Sequence, residues 1–352
     1  MAERRIRIGL LGCGAVGRLH AQRLKADQRV QLVYVADAHQ ATAEMLRSQL
    51  ASTAVATTDG LAMLLSRHPV DGVVICTPTG LHFDQATAAL ERGVDVLCEK
   101  PLAPERERIA RLAERSAELG RILSVSYQRR YMAAYRTARR ELTERAEWYG
   151  PLREIHVFVC ERWHQTIRGT WRDDPALGAG YFGDAGSHQI DIVHYVTGQT
   201  AQRVLAFSDQ RESRVEIVTR AIAQFADGVQ LVAHFVGDAN HWREEITFHC
   251  RDADLLLRSE KFYDPHLFRA KNNALEPVPD LLSDSDPNRA FIDAILTREP
   301  TVSPASCALA THDWTAAVLR SARSGAWAEL QVKSVGGVSD ADESSRISEA
   351  TS

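Results

Sequence analysis

The sequence has no uninterrupted apolar run of the roughly 18 residues that a membrane helix needs. Its first residues, Met-Ala-Glu-Arg-Arg, lead straight into an alternating strand and contain no apolar signal segment. None of its six cysteines forms a Cys-x-x-Cys pair, so we expect reduced, buried thiols. Neither sign of charge dominates, since 42 basic and 46 acidic residues give a net charge of −4. These absences predict a cytoplasmic protein that binds neither nucleic acid nor membrane.

The chain does contain enough apolar material for two buried cores. Its 352 residues exceed what one typical core needs, and 45% hydrophobic with 25% charged residues is close to the average of globular proteins. We therefore expect two domains.

The first 127 residues alternate short apolar runs with helical patterns, which is typical of a doubly wound parallel sheet covered by helices. The predicted strands are 6–11, 31–36, 53–57, 72–76, 95–98 and 122–127. The predicted helices are 15–26, 41–50, 60–66, 80–92 and 104–119. Because ligands bind at the carboxyl ends of such strands, we expect the chemistry there.

After residue 127 the pattern changes to longer alternating strands, which predicts a largely antiparallel sheet. We expect a basic helix from Tyr131 to about Ala146, helices near 184–197, 287–297 and 305–324, and strands near 153–159, 203–208, 215–226, 228–236 and 244–258. The last residues contain no aromatic side chain and many of Ser, Asp and Glu, which favours disorder. The expected units are thus residues 1–127, residues 128–335 and a disordered tail, 336–352.

A glycine-rich loop joins the first strand to the first helix and reads Gly12-Cys13-Gly14-Ala15-Val16-Gly17. In this context Gly12 permits the tight turn, Gly14 lets the backbone approach a pyrophosphate and Gly17 lets the helix pack on the sheet. The helix N-terminus offers unpaired N–H groups to the phosphates. The loop therefore predicts a dinucleotide site.

An acidic residue, Asp37, follows Gly17 by twenty residues at the end of the second strand. Its carboxylate can accept hydrogen bonds from the adenosine ribose and would repel a 2′-phosphate. No Arg or Lys follows within nine residues, so NAD is favoured and NADP stays the alternative.

Three further motifs are Cys76-Thr77-Pro78-Thr79-Gly80-Leu81-His82, Cys98-Glu99-Lys100-Pro101-Leu102-Ala103, and residues 178–191. Together with the glycine loop they resemble the glucose–fructose oxidoreductase, inositol dehydrogenase and MocA (Gfo/Idh/MocA) family, although Ala179 replaces one glycine of the family pattern. The resemblance spans nearly the whole chain. It implies an α/β protein with a Rossmann domain joined to an α+β domain that has an open, mostly antiparallel sheet, whose exposed face forms homodimers or homotetramers.

The resemblance also implies residue roles. Lys100 would be catalytic, and the cofactor would contact the two motifs through Thr77, Pro78, Thr79, His82, Glu99 and Lys100. Lys100 and His188 would act on the reacting hydroxyl with support from Asp184, and Asp191 would bind a neighbouring sugar hydroxyl.

Elementary chemistry points to the same residues. Removal of a hydride from a secondary alcohol needs a base for the proton and positive charge near the developing alkoxide. Asp184, His188 and Asp191 are spaced i, i+4 and i+7, which places them on one helix face. We favour His188 as the base and Lys100 as the polarising group, although either pKa could be tuned for the task. No third ligand set accompanies Asp184 and His188, so no metal is expected. Capping by Asp184 and simple burial of His188 are the structural alternatives.

Substrate contacts are predicted on both sides of the cleft. Arg130 lies in a stretch that matches the family's cleft segment, and Trp163 and Trp171 either stack on a sugar or pack in the interior. Asn240-His241-Trp242 and Cys250-Arg251-Asp252-Ala253 depart from the family pattern, so inositol specificity does not transfer. The sequence predicts a reversible NAD(P)-dependent sugar or polyol dehydrogenase. An NAD-dependent glycosidase and a catalytically silent dinucleotide sensor are the alternatives, although such sensors tend to lose the lysine or histidine retained here.

Overall fold

The computed structural model describes residues 4–51, 54–175 and 180–330, which form two β-sheets with their helices. The predicted disordered tail lies outside these residues, as do Gly178 and Ala179 of the third motif. No helix in the described part of the chain is both long and apolar enough to cross a membrane.

The first sheet has six parallel strands in the order β3-β2-β1-β4-β5-β6, as predicted for a doubly wound fold. Its strands are β1 (Ile6–Leu11), β2 (Val30–Ala36), β3 (Val55–Thr57), β4 (Gly72–Ile75), β5 (Asp95–Cys98) and β6 (Leu123–Val125). Every residue of β4 and β5 is buried, because helices cover both faces of the sheet. Those helices are α1 (Ala15–Ala26), α2 (Gln40–Gln49), α3 (Leu61–Arg67), α4 (His82–Leu90) and α5 (Arg106–Glu118).

The second sheet has nine strands, and every pair except β7 with β10 is antiparallel. Its order is β14-β13-β12-β11-β7-β10-β9-β8-β15. The strands are β7 (Leu152–Cys160), β8 (Ala201–Asp209), β9 (Val218–Phe225), β10 (Gln230–Val236), β11 (Arg243–Cys250), β12 (Asp254–Ser259), β13 (His266–Lys271), β14 (Ala274–Pro277) and β15 (Ala328–Glu329).

One sequence prediction in this sheet is wrong: the single strand expected over 244–258 is two strands, β11 and β12, paired antiparallel. The fully buried positions shift from even numbers, Ile246 and Phe248, to odd numbers, Leu255 and Leu257. A shift by one residue moves side chains to the other face of a strand, so it marks the turn that separates β11 from β12.

Helices cover one face of the second sheet and leave the other open. The helices of this half are α6 (Ala133–Glu144), α7 (Ala146–Tyr149), α8 (Trp163–Ile167), α9 (Ser187–Thr197) and α11 (Ala305–Ser324), whereas α10 (Pro287–Thr297) packs against the first sheet. On the open face Phe207, Ile222 and Val232 are exposed, and Ile222 and Val232 are cross-strand partners.

The chain returns to the first sheet after it has built the second. Phe291 and Ile295 of α10 lie against Gly72, where an added Cβ would come within 3.0 Å of both side chains. Cys307 and Leu309 of α11 belong to the core that covers the same sheet. The proposed boundary after residue 127 therefore separates the strands of the two sheets, while part of the first core comes from residues 287–309.

Candidate active site

Lys100 links the carboxyl end of the first sheet to the turn that precedes α9. Lys100 follows β5 closely, and its Nζ donates to the main-chain oxygen of Asp184 at 2.8 Å and to Asp184 Oδ1 at 3.0 Å. Asp184 belongs to a π-helical turn, Phe182–Gly186, that runs directly into α9. Such turns are frequent at functional sites. The structure thus brings together two of the predicted catalytic residues, one from the loop after β5 and one from the turn before α9.

A second cation holds the other oxygen of Asp184. Arg172 Nε donates to Asp184 Oδ2 at 2.9 Å. Burial alone would raise the pKa of the Asp184 carboxyl, but the charges and hydrogen bonds of Lys100 and Arg172 hold it well below its ordinary value. Asp184 is therefore ionised at neutral pH, and Lys100 is fixed by a charge-assisted contact.

His188 lies one turn beyond Asp184, in the first turn of α9, and is buried. Burial first, and then the charges of Lys100 and Arg129, hold the pKa of His188 well below its ordinary value, although Asp184 opposes the shift. No described residue makes a hydrogen bond to its Nδ1. A neutral imidazole with an unused nitrogen can accept a proton.

Two predicted substrate ligands contact each other. Arg130 and Asp191 form a buried bidentate pair, with Nε–Oδ2 and Nη2–Oδ1 distances of 2.9 and 2.8 Å. Arg130 Nη1 also donates to the main-chain oxygen of Val302. This pairing favours a structural role for both side chains, and their substrate contacts stay predictions.

The two predicted tryptophans are not equally described. Trp163 is buried, and its ring lies 5.5 Å from that of Tyr181, which favours packing. The side chain of Trp171 lies outside the described residues.

The glycine loop has the shape that a dinucleotide needs. Gly12 has a φ of 88°, and a Cβ there would lie 2.4 Å from the main-chain oxygen of Cys76. A Cβ on Gly17 would lie 1.9 Å from the oxygen of Gly12, whereas no atom lies within 4 Å of one built on Gly14. Helix α1 begins at Ala15 without a side-chain cap, so the N–H groups of its first turn are available to a ligand. These residues fit a pyrophosphate.

Asp37 follows β2 and lies beside that loop. Its Oδ2 accepts the N–H of Cys13 at 2.9 Å and its Oδ1 accepts the N–H of His39 at 3.0 Å. The two bonds orient the carboxylate and leave further lone pairs for ribose hydroxyls.

The motif at 77–82 lies at the carboxyl end of β4, beside the glycine loop. Thr77 Oγ1 donates to Gln85, while Pro78 and Thr79 lead into a short 3₁₀ turn, Thr79–Leu81. His82 is buried, and its ring nitrogens lie 2.7 and 2.9 Å from the carbonyl oxygens of Thr77 and Pro101. This geometry favours His82 as a bridge between the two motif loops, and its contact with the cofactor stays a prediction.

His20 is not among the predicted site residues, yet this side chain of α1 reaches the loop that carries Lys100. His20 Nε2 lies 2.9 Å from Glu99 Oε1, and Nδ1 lies 2.9 Å from Asn288 Oδ1. Burial would lower the pKa of His20, but Cys76 and Glu99 raise it to about 10. Burial would raise the pKa of the Glu99 carboxyl, but the hydrogen bond and the charge of His20, with smaller contributions from Ser126 and Lys100, lower it. His20 and Glu99 therefore form a charged pair, and Glu99 immediately precedes Lys100 in the chain.

Arg129 was also missed. It forms a buried ion pair with Glu244 of β11, and Tyr135 Oη donates to the same carboxylate at 2.6 Å. The only signal in the sequence was the position of Arg129 beside Arg130.

Both parts of the chain match one family. Residues 6–127 match the oxidoreductase family GFO/IDH/MocA, NAD-binding Rossmann fold, and residues 135–255 match the GFO/IDH/MocA C-terminal domain.

Similar proteins include the rhizopine catabolism protein MocA of Rhizobium meliloti, 30% identical over 196 residues that cover 55% of this chain and 58% of that protein. The D-glucoside 3-dehydrogenase of Escherichia coli is 29% identical over 202 residues, 56% of each chain. The matches thus span a little over half the length of these relatives. The crystal structure of the WlbA dehydrogenase from Bordetella pertussis, in complex with NADH and UDP-GlcNAcA, has a TM-score of 0.81 at 22% identity. It covers 94% of this chain and 100% of that chain, and the two share the fold.

Proposed function

The chain belongs to the GFO/IDH/MocA family of oxidoreductases and has the NAD-binding Rossmann domain of that family. From this premise we propose that the protein transfers a hydride between NAD and a secondary alcohol of a sugar, sugar derivative or polyol. The observation that carries the proposal is the Lys100–Asp184 pair beside a neutral, buried His188.

Lys100 is suited to stabilise an alkoxide. Its ammonium group has three hydrogens, and Asp184 engages it through two oxygens. One hydrogen remains for a substrate oxygen, and the lysine cannot swing away without losing both contacts. The positive charge is thus held where negative charge develops.

His188 is suited to accept the hydroxyl proton. Its lowered pKa keeps the ring neutral at physiological pH, and no described residue occupies Nδ1. NAD, when bound, supplies the hydride acceptor. In the reverse direction, the protonated ring returns the proton to the carbonyl oxygen, so the same residues serve oxidation and reduction.

Buried polar atoms near His188 support a ligand rich in hydroxyl groups. In the described part of the chain, Tyr181 Oη, Arg129 Nε and Gln189 Oε1 are buried without a hydrogen-bond partner. Buried polar groups are normally paired, and a sugar or polyol can pair with both donors and acceptors.

A substrate screen tests this proposal. Sugars, polyols and aryl glycosides are incubated with NAD and NADP while the absorbance of reduced nicotinamide and the release of free sugar are both followed. We expect cofactor reduction with at least one alcohol. Cleavage of a glycoside without net reduction of the cofactor would contradict the proposal and favour a glycosidase.

A Lys100→Ala variant tests the assigned role. We expect turnover to be abolished while NAD binding, measured by fluorescence titration, is largely retained. Equal loss of both would mean that Lys100 is structural.

We also propose that the chain assembles as a homodimer or homotetramer through the open face of the second sheet. Exposed Phe207, Ile222 and Val232 on neighbouring strands support this. Light scattering should give a dimer or tetramer mass, and Ile222→Lys should shift it towards the monomer. A monomeric wild type would exclude the assembly.

A further inference from the structure

We propose that an aromatic shelf, formed by Trp242, Phe262 and Tyr263 at the mouth of the site, binds the second ring of a glycosylated substrate, so that the protein prefers a glycoside to the free sugar. The inference rests on the proposed function and deepens it.

The shelf is built from two loops at the edge of the second sheet that faces the active site. Trp242 immediately precedes β11, and Phe262 and Tyr263 lie between β12 and β13. The Trp242 and Phe262 rings are 6.0 Å apart, and the Phe262 and Tyr263 rings 4.7 Å apart. Phe262 is 39% and Tyr263 57% exposed. The rings meet edge to face, with interplanar angles of 65° and 79°, so each exposed ring presents its own apolar face, on which the C–H face of a sugar ring packs.

Arg129 connects the shelf to the catalytic residues. Its guanidinium lies 5.4 Å from the centre of the Phe262 ring, and its charge is one cause of the lowered pKa of His188. Tyr263 Oη also donates to Gln128 Oε1 at 3.4 Å, which ties the shelf loop to the segment after β6. The shelf is therefore continuous with the site that holds the reacting ring.

A carboxyl group lies at the base of the shelf. Glu161 follows β7, and the side chain of Trp242 donates a hydrogen bond to it. Burial, with a smaller contribution from Asp184, raises the pKa of Glu161 to about 7, although Arg129 opposes the shift. A carboxyl that both donates and accepts at neutral pH can bind two sugar hydroxyls, and carboxyl groups beside aromatic faces suit carbohydrate.

The two guanidinium groups that flank the shelf favour an uncharged second ring over a nucleoside diphosphate, whereas exposed Lys261, beside Phe262, is a cation that a pyrophosphate could use. A pyrophosphate needs available cations. The two guanidinium groups that flank the shelf are engaged by carboxylates, Arg129 by Glu244 and Arg243 by Glu245 at 3.1 Å. Ionised Glu161 would repel a phosphate.

The test compares D-glucose, D-galactose and D-mannose with their p-nitrophenyl α- and β-glycosides and with UDP-glucose, in the presence of NAD. We expect kcat/KM for the preferred glycoside to exceed that of its free sugar about tenfold, the size of a good aromatic contact. Phe262→Ala and Tyr263→Ala should lower kcat/KM for the glycoside several-fold more than for the free sugar. Trp327→Ala is the control, because Trp327 is also 39% exposed but stacks on Arg203 in β8, away from the site.

Three results overturn the shelf without touching the proposed function: a free sugar preferred over its glycosides, UDP-glucose preferred over both, or equal losses for glycoside and free sugar in the shelf variants. If no compound turns over, the proposed function fails. Saturation-transfer NMR with the same glycosides and the NAD-loaded protein then tests separately whether the shelf binds a glycoside. Binding that Phe262→Ala weakens supports it, and absence of binding overturns it. A changed oligomeric mass in Phe262→Ala identifies the shelf as a protomer interface and also overturns it.

Discussion

Replacement of Asp184 by asparagine is the most direct perturbation of the catalytic arrangement. The amide keeps the shape of the side chain but removes the charge that faces Lys100 at 3.0 Å and Arg172 at 2.9 Å. Lys100 keeps its bond to the main-chain oxygen of residue 184, so it is loosened and not released. Loss of one charge-assisted hydrogen bond costs about 1.5–3 kcal/mol, which corresponds to a roughly 10- to 100-fold fall in kcat.

The pH profile provides a second readout. Protonated His188 cannot accept a proton, so activity is lost as the pH falls through the pKa of His188. That pKa is already well below its ordinary value of 6.5. The wild type should therefore keep its kcat/KM down through pH 6.5 and lose it only at more acidic pH. Because Asp184 raises the pKa of His188, the acid limb of Asp184→Asn should lie at still lower pH.

The assay measures kcat and kcat/KM over pH, together with NAD affinity by fluorescence titration. Asp313→Asn is the matched control, since Asp313 pairs with Arg106 at 2.8 Å, is similarly shielded and lies on α11. We expect the control to retain wild-type kcat. The reasoning is refuted if Asp184→Asn keeps kcat within about twofold, or if its NAD affinity falls in parallel with kcat.

Three further predictions concern the cofactor site and stability. Asp37→Asn should narrow the preference for NAD over NADP about tenfold, because the repelling charge is lost; dissociation constants for both cofactors check this, and an unchanged ratio would contradict it. The pKa of His20 is raised to about 10, above its unfolded value, so protonated His20 stabilises the fold below pH 6.5 and this contribution is lost as the pH rises through 10. The Tm of the wild type should therefore fall between pH 6.5 and 10 by more than the Tm of His20→Gln. Identical Tm profiles would count against the His20–Glu99 pair. Glu244→Ala leaves the buried charge of Arg129 unpaired and should cost about 3–5 kcal/mol of unfolding free energy in urea titration, whereas a cost below about 1 kcal/mol would mean that water reaches the pair.

Local patterns predicted most of the fold. The first helix was placed at 15–26 and occupies Ala15–Ala26, because the glycine loop defines its start and the apolar spacing defines its face. The turn between β11 and β12 was missed, because alternation of apolar residues continues on both sides and only its phase changes. Strands β13 and β14 were missed as well, since most of their residues are not buried and give no apolar alternation.

Partners of the charged side chains could not be read from the sequence. Arg130 and Asp191 are separated by 61 residues, His20 and Glu99 by 79, and Arg129 and Glu244 by 115. The sequence spacing of a charged residue does not indicate its partner, whereas the spacing of apolar residues does indicate the buried face of a helix. The motifs therefore located Lys100, Asp184 and His188, while the pairs that hold or surround them required the fold.

The return of α10 and α11 to the first sheet limits how the protein can be recombined. Phe291 and Ile295 fill space beside Gly72, so the cofactor half is not a module that can be cut out at one point. In a chimera with residues 1–127 from another family member, the original α10 and α11 would have to pack against a sheet of different sequence. An exchange of cofactor preference between such proteins should therefore succeed when residues 287–309 are transferred together with the N-terminal segment. Substitutions in this stretch should also be correlated with substitutions on the surface of β4 during evolution.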